Sequence, residues 1–200
     1  MVDRKEIQEQ RIRSYFINAA KETLKGEGLR AVNVRSIAER AGYSYATLYN
    51  YFKDLNELIF LCVKDFTNEC ETFINEQTLK ESAGSKRLKL KLQAFVDYFV
   101  QYPGIFDLIF VETMRNTTAT QQIAEHIYLF LDQVSKEDTD YLVLNKKITE
   151  KDSSEMITLL KNTLTGLLLF YNNRMQPADY KQFIEISKTQ INKLVDLHVK

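Results

Sequence analysis

Proline occurs only twice in these 200 residues, glycine six times and tryptophan not at all. So few breakers leave little to interrupt helices, and helical periodicity runs nearly throughout. The only cysteines, Cys62 and Cys70, stand eight residues apart. On one helix that is about 12 Å, too far for a disulfide. His126 and His198 have no Cys or His close in sequence, so zinc-ligand spacing is missing. There is no glycine-rich phosphate loop, no G-x-S-x-G and no H-E-x-x-H, so neither an enzyme nor a cofactor is expected. No apolar run approaches about 18 residues, and no membrane span is expected. The opening MVDRKEIQEQ lacks an apolar signal core, which makes the cytoplasm the expected location.

Net charge is also lacking: 27 Lys and Arg balance 27 Asp and Glu. Residues 1–58 hold ten basic against eight acidic side chains, and the rest of the chain carries the compensating excess of acid. A nucleic-acid contact would therefore depend on a local cluster, with Arg11, Arg13, Arg35 and Lys53 as candidates, and would show modest non-specific affinity.

What is present is concentrated in Val34–Phe52, VRSIAERAGYSYATLYNYF. Asn33 is placed to cap a first short helix. Val34, Ile37, Ala38 and Ala41 then recur at helical spacing as an apolar face. Gly42 follows where a helix ends in a left-handed residue. Tyr43 is expected to pack inward, and Ser44 to cap a second helix over Tyr45–Tyr51. Leu48 and Phe52, four apart, face the core. Tyr45, Thr47, Tyr49, Asn50 and Tyr51 are left to point outward. Two short helices across a glycine turn have the form of a helix-turn-helix, whose second helix enters the DNA major groove.

The wider stretch Ala20–Leu58 resembles the N-terminal domain of TetR-family transcriptional regulators. The shared elements run from Gly28 to Gly42, then from Ser44 to Phe52 as S-x-x-T-L-Y-x-Y-F, then through a K-x-x-x-E-L exit from Lys53 to Leu58. The resemblance implies an all-α fold. It places a three-helix helix-turn-helix DNA-binding domain in residues 1–53 and a helical effector-binding and dimerisation domain in 54–200. It implies a homodimeric repressor that binds a palindromic operator on double-stranded DNA and responds to a small molecule. Activation, or action through a protein partner, stays open as an alternative.

Position by position, the resemblance makes Arg35 a candidate base reader, since an arginine can donate two hydrogen bonds to guanine. Ser44, Tyr45, Ala46 and Thr47 open the recognition helix. Tyr49, Asn50, Tyr51 and Lys53 match positions that touch phosphates and set register. Leu55 departs from the pattern, which favours a phosphate-binding lysine there.

Beyond the motif, Asp54 and Glu57 form a capping-box pattern opening a long helix to about Leu79. A loop follows at 81–86, then a helix broken at Tyr102-Pro103-Gly104. A nearly all-round apolar helix is expected to about Arg115, a polar joint at 116–120, and a further helix over 121–134. Residues 135–152 read as a charged connection, with a further short helix within it as an alternative. Helices over 154–174 and 176–199 carry wide apolar faces, the candidate surfaces for self-association. Tyr98, Tyr102, Phe106, Phe110, Met114, Tyr128 and Tyr171 are the candidate lining of a largely apolar effector pocket, with tyrosine hydroxyls as polar points.

Overall fold

The computed structural model describes residues 4–111, 118–174 and 176–200. Among these residues there are nine α-helices and no strand: α1 Arg4–Glu27, α2 Val34–Ala41, α3 Tyr45–Leu48, α4 Leu55–Thr78, α5 Ser85–Gln101, α6 Pro103–Phe106, α7 Thr118–Leu144, α8 Glu150–Asn172 and α9 Tyr180–His198. No single helix among them is long and apolar enough to cross a membrane. The chain divides into two compact units. One holds residues 1–67 with 104–127, and the other holds 68–103 with 128–200. The helix α4 contributes its first half to one unit and its second half to the other.

In the first unit the core is built from Phe16, Ala20 and Leu24 of α1, Ile37 and Ala38 of α2, Leu48 of α3, and Leu58, Cys62 and Phe66 of α4. Phe106 is also fully buried there. Burial pushes the Cys62 thiol up to about 12, as expected of a core cysteine rather than a reactive one. After α6 the chain does not continue as a regular helix. Asp107–Val111 forms a π-helical turn, and the end expected near Arg115 lies outside the described residues.

His126 couples this unit to pH. Its Nε2 lies 2.7 Å from the Thr67 hydroxyl, and its ring meets Phe60 edge-on at 6.5 Å. The Thr67 hydroxyl donates to the Lys64 carbonyl at 2.9 Å, which leaves its oxygen to accept from the imidazole. Burial, and then the Lys64 charge, hold the His126 pKa below its ordinary value. The unfolded chain therefore takes up the proton more readily than the folded one. Stability is full above the ordinary imidazole value of about 6.5 and falls as pH drops through it toward the lower folded value. A Tm–pH profile should show that decline, and His126→Gln should flatten it.

In the second unit α8 packs on α9, and both pack on α5. Phe95 and Phe99 of α5, Met156, Leu160 and Leu164 of α8, Phe183 and Val195 of α9, and Phe130 of α7 are buried. Two expectations are corrected here. Residues 135–144 are not a connection: α7 runs unbroken to Leu144, and Ser135, Asp138 and Thr139 are buried. Charge misled because Asp138 is ion-paired inside the unit. Its carboxylate lies 2.7 Å from Arg87 Nε and 2.9 Å from Lys91 Nζ. The last helix begins at Tyr180, not Gln176, because Asp179 caps it by accepting from the Gln182 N–H at 2.8 Å. Thr149 caps α8 in the same way, accepting from the Asp152 N–H at 3.1 Å.

Candidate nucleic-acid interface

The motif is assembled by local chemistry. Asn33 Oδ1 accepts from the Ser36 N–H at 2.9 Å and so satisfies a free donor at the start of α2. At the other end Gly42 takes φ 79°, a conformation that costs glycine little. Its N–H reaches the Glu39 carbonyl at 3.0 Å, and the Tyr43 N–H reaches that of Ala38 at 2.9 Å. That bond pair is a Schellman ending, and it turns the chain sharply into α3. The Tyr43 ring then packs 5.4 Å from Phe16 and stacks 6.3 Å from Tyr15.

Ser44 caps α3 as expected, its hydroxyl accepting from the Thr47 N–H at 3.2 Å and lying 2.8 Å from the Thr47 hydroxyl. The α-helical part is shorter than Tyr45–Tyr51. It ends at Leu48, and the chain continues through tighter bonds, Asn50 N–H to Thr47 and Tyr51 N–H to Leu48. Leu48 and Phe52 are buried, and Phe52 meets Phe16 edge-on at 6.0 Å.

Those anchors leave an outer face. Tyr45 is 59% exposed and Tyr49 53%. Arg35, Ser44, Ala46, Asn50 and Lys53 are exposed, and Thr47 is half-buried. Among the described residues the side chains of Arg35 and Lys53 enter no ion pair. Tyr51 differs from expectation: it is half-buried, with its ring 6.4 Å from Phe16. The face thus offers two cations, two phenols, a carboxamide and two hydroxyls. Such groups suit phosphate oxygens and base edges.

Arg13 leaves the basic cluster. It donates to the Tyr51 carbonyl, its guanidinium sits 4.6 Å above the Phe52 ring, and it lies 3.8 Å from Glu57. Glu57 in turn accepts from the Lys53 N–H at 2.7 Å, while its own N–H binds Asp54 at 2.9 Å. The Asp54 half of the capping box is therefore realised as expected, while the return bond of Glu57 goes to the Lys53 N–H rather than that of Asp54. Arg13 and Glu57 together hold the exit of the motif. Sequence reading missed this because Tyr51 and Phe52 lie about forty residues from Arg13.

The aromatic effector candidates are drawn from both units. Tyr98 and Tyr102 sit 4.9 Å apart in the second unit, where Phe73 adjoins Tyr98 at 5.7 Å. In the first unit Phe106 and Phe110 sit 5.0 Å apart. Tyr128 is 62% exposed and lies under the Lys161 ammonium at 3.9 Å. Tyr171 stacks on Phe183 at 4.1 Å. Met114 lies outside the described residues. Among the described residues, no group of three or more His, Cys, Asp or Glu could hold a metal ion.

Residues 16–61, which span this motif, match the family model of bacterial regulatory proteins of the tetR family. Nearly the whole chain superposes on solved structures of low identity. A Bacillus subtilis transcriptional regulator, FadR in complex with stearoyl-CoA, is 16% identical with a TM-score of 0.70, covering 91% of this chain and 97% of its own. A Syntrophomonas wolfei protein named as a TetR-family regulator is 14% identical with a TM-score of 0.73, covering 93% and 95%. Salmonella enterica GusR is 18% identical with a TM-score of 0.67, covering 92% and 95%. At such identities these likenesses speak for the fold, while the family model speaks for the capped, glycine-turned motif. Residues 16–61 thus carry the tetR-family motif, and the described residues share the all-α fold of those structures.

Proposed function

We propose that this chain is a homodimeric repressor that reads a palindromic operator through residues 35 and 44–53 and is released by a small, largely apolar molecule. The observation that carries the reading is the outer face of the motif, where Arg35, Tyr45, Tyr49, Asn50 and Lys53 stand exposed on a rigidly capped frame. Residues 1–53 are the DNA-binding part and 54–200 the effector and dimerisation part.

Self-association through 154–174 and 176–199 is supported by apolar side chains left at the surface of α8 and α9, among them Leu159, Phe170 and Leu197. A two-fold pair of such helices would cover them and set two motifs on one face of the duplex. Effector binding is supported by the aromatic pair Tyr98 and Tyr102, and by the stearoyl-CoA held by the B. subtilis regulator. A long-chain acyl-CoA is the first ligand to try. A ligand that prefers the conformer with misplaced motifs weakens DNA binding by its coupling factor, and DNA weakens the ligand equally. The helix α4 belongs to both units and is the path for that coupling.

Selection of bound duplexes from a random library tests the reading. The wild type should enrich a palindrome. Arg35→Ala should relax the choice of base at one position in each half-site, with a loss of about 1–3 kcal/mol there. Tyr49→Ala should weaken all sequences alike. No enrichment at low salt would exclude specific binding by the ligand-free protein.

A further inference from the structure

A second surface adjoins the reading face, and it lies on α1. A groove of about 460 Å³ is lined by Arg4, Ile7, Gln8, Arg11, Ile12, Tyr15 and Tyr43. Arg4, Gln8, Arg11 and Tyr15 follow one another at spacings of four, three and four, so they form one row on the helix. At about 1.5 Å per residue the row is about 16 Å long. At roughly 100° per residue, Glu6 and Glu9 fall more than about 120° round the helix from its centre. The row is therefore positive without a carboxylate in it. Neither arginine side chain enters an ion pair among the described residues, whereas Arg13 and Arg40 are both engaged with carboxylates.

The row ends at the motif itself. Tyr15 is 47% exposed and stacks on Tyr43, which is bonded directly to Ser44, the cap of the recognition helix. A strand of the duplex engaged by residues 44–53 thus has a continuous track onto α1.

We propose that Arg4 and Arg11 bind phosphates of the duplex flanking each half-site, with the Tyr15–Tyr43 stack as the corner joining this track to the recognition helix. The inference rests on residues 44–53 being the reading face. The occupant is a phosphate backbone because the row offers exposed cations and a glutamine amide to an acceptor-rich polyanion, and no acid to a basic partner. Bonds of this kind raise affinity and lengthen the footprint, but they do not choose the sequence.

The test uses the full chain and the duplex enriched from the random library, in a long form and in one trimmed to the two half-sites. Binding is followed by fluorescence anisotropy as a function of salt. For Arg4→Ala/Arg11→Ala on the long duplex, the slope of log K against log salt should fall by about 0.9 for each phosphate that is no longer neutralised. Affinity should fall at least tenfold at moderate salt. Trimming should weaken the wild type and leave the double variant nearly unchanged, and the ratio of selected to random duplex should stay within about twofold. Both arginines are exposed, so Tm should not move.

An unchanged slope in the double variant, beside a weakened Tyr49→Ala control, would overturn the α1 track while the reading face stands. Collapse of the selected-to-random ratio in the double variant would also overturn it, because these side chains would then be choosing bases. Failure of every form, wild type included, to bind the duplex would remove the reading face and this inference together.

Discussion

Asp138→Ala should lower the unfolding free energy by about 3–5 kcal/mol, the range for breaking a buried ion pair from one side. The Asp138 side chain has no solvent exposure, and its two oxygens serve Arg87, Lys91 and the Gly84 N–H. Burial opposes the Arg87 charge, but its bonds to Asp138 and Glu137 hold the guanidinium above its ordinary value. Without Asp138, Lys91 would keep only the Val134 carbonyl at 3.1 Å in a nearly closed site. Two comparisons separate this mechanism from general fragility. Lys91→Met should cost clearly less, since Asp138 retains Arg87 and a backbone donor. Glu137→Ala should cost at most about 1 kcal/mol, because that carboxylate is 69% exposed. Urea denaturation of the three variants measures the order.

Phe52→Ala should cost about 3–5 kcal/mol and remove specific DNA binding with it. The ring is 1% exposed, meets Phe16 edge-on, and carries the Arg13 guanidinium on its face. Deleting it opens a cavity under the end of the recognition segment and takes away the ring on which Arg13 rests. The Tyr51 carbonyl and the Lys53 N–H, both held by the Arg13–Glu57 pair, would lose their fixed position. Phe52→Leu fills most of the space and should restore much of the stability while restoring binding less completely. Chemical denaturation and duplex titration on the same preparations distinguish the two losses.

The parts of the motif legible in the sequence are those made by neighbours. Asn33, Gly42 and Ser44 act on backbone groups two to four residues away, so residue type and spacing suffice. Leu48 and Phe52 follow from a four-residue period. Arg13 was illegible as a clamp because its partners are brought to it only by packing of α1 on the motif. Asp138 sat in a stretch whose charges suggested solvent, and only the fold supplies Arg87 and Lys91 from about fifty residues away. The start of α9 was written locally after all: Asp179 and Gln182 make the cap, but Pro177 was the more conspicuous signal. The aromatic residues were the least decisive. Tyrosines and phenylalanines at helical spacing serve a core, a surface cation pair or a binding wall equally well, and Tyr128 under Lys161 and Tyr171 on Phe183 are compatible with more than one of these.

The most direct test of the central claim is amide hydrogen exchange of the full chain with and without its selected duplex. The account predicts new protection concentrated in residues 34–53, strongest at the amides from Tyr43 to Lys53. Protection confined to 68–103 and 128–200, or none at a saturating concentration of duplex, would contradict it.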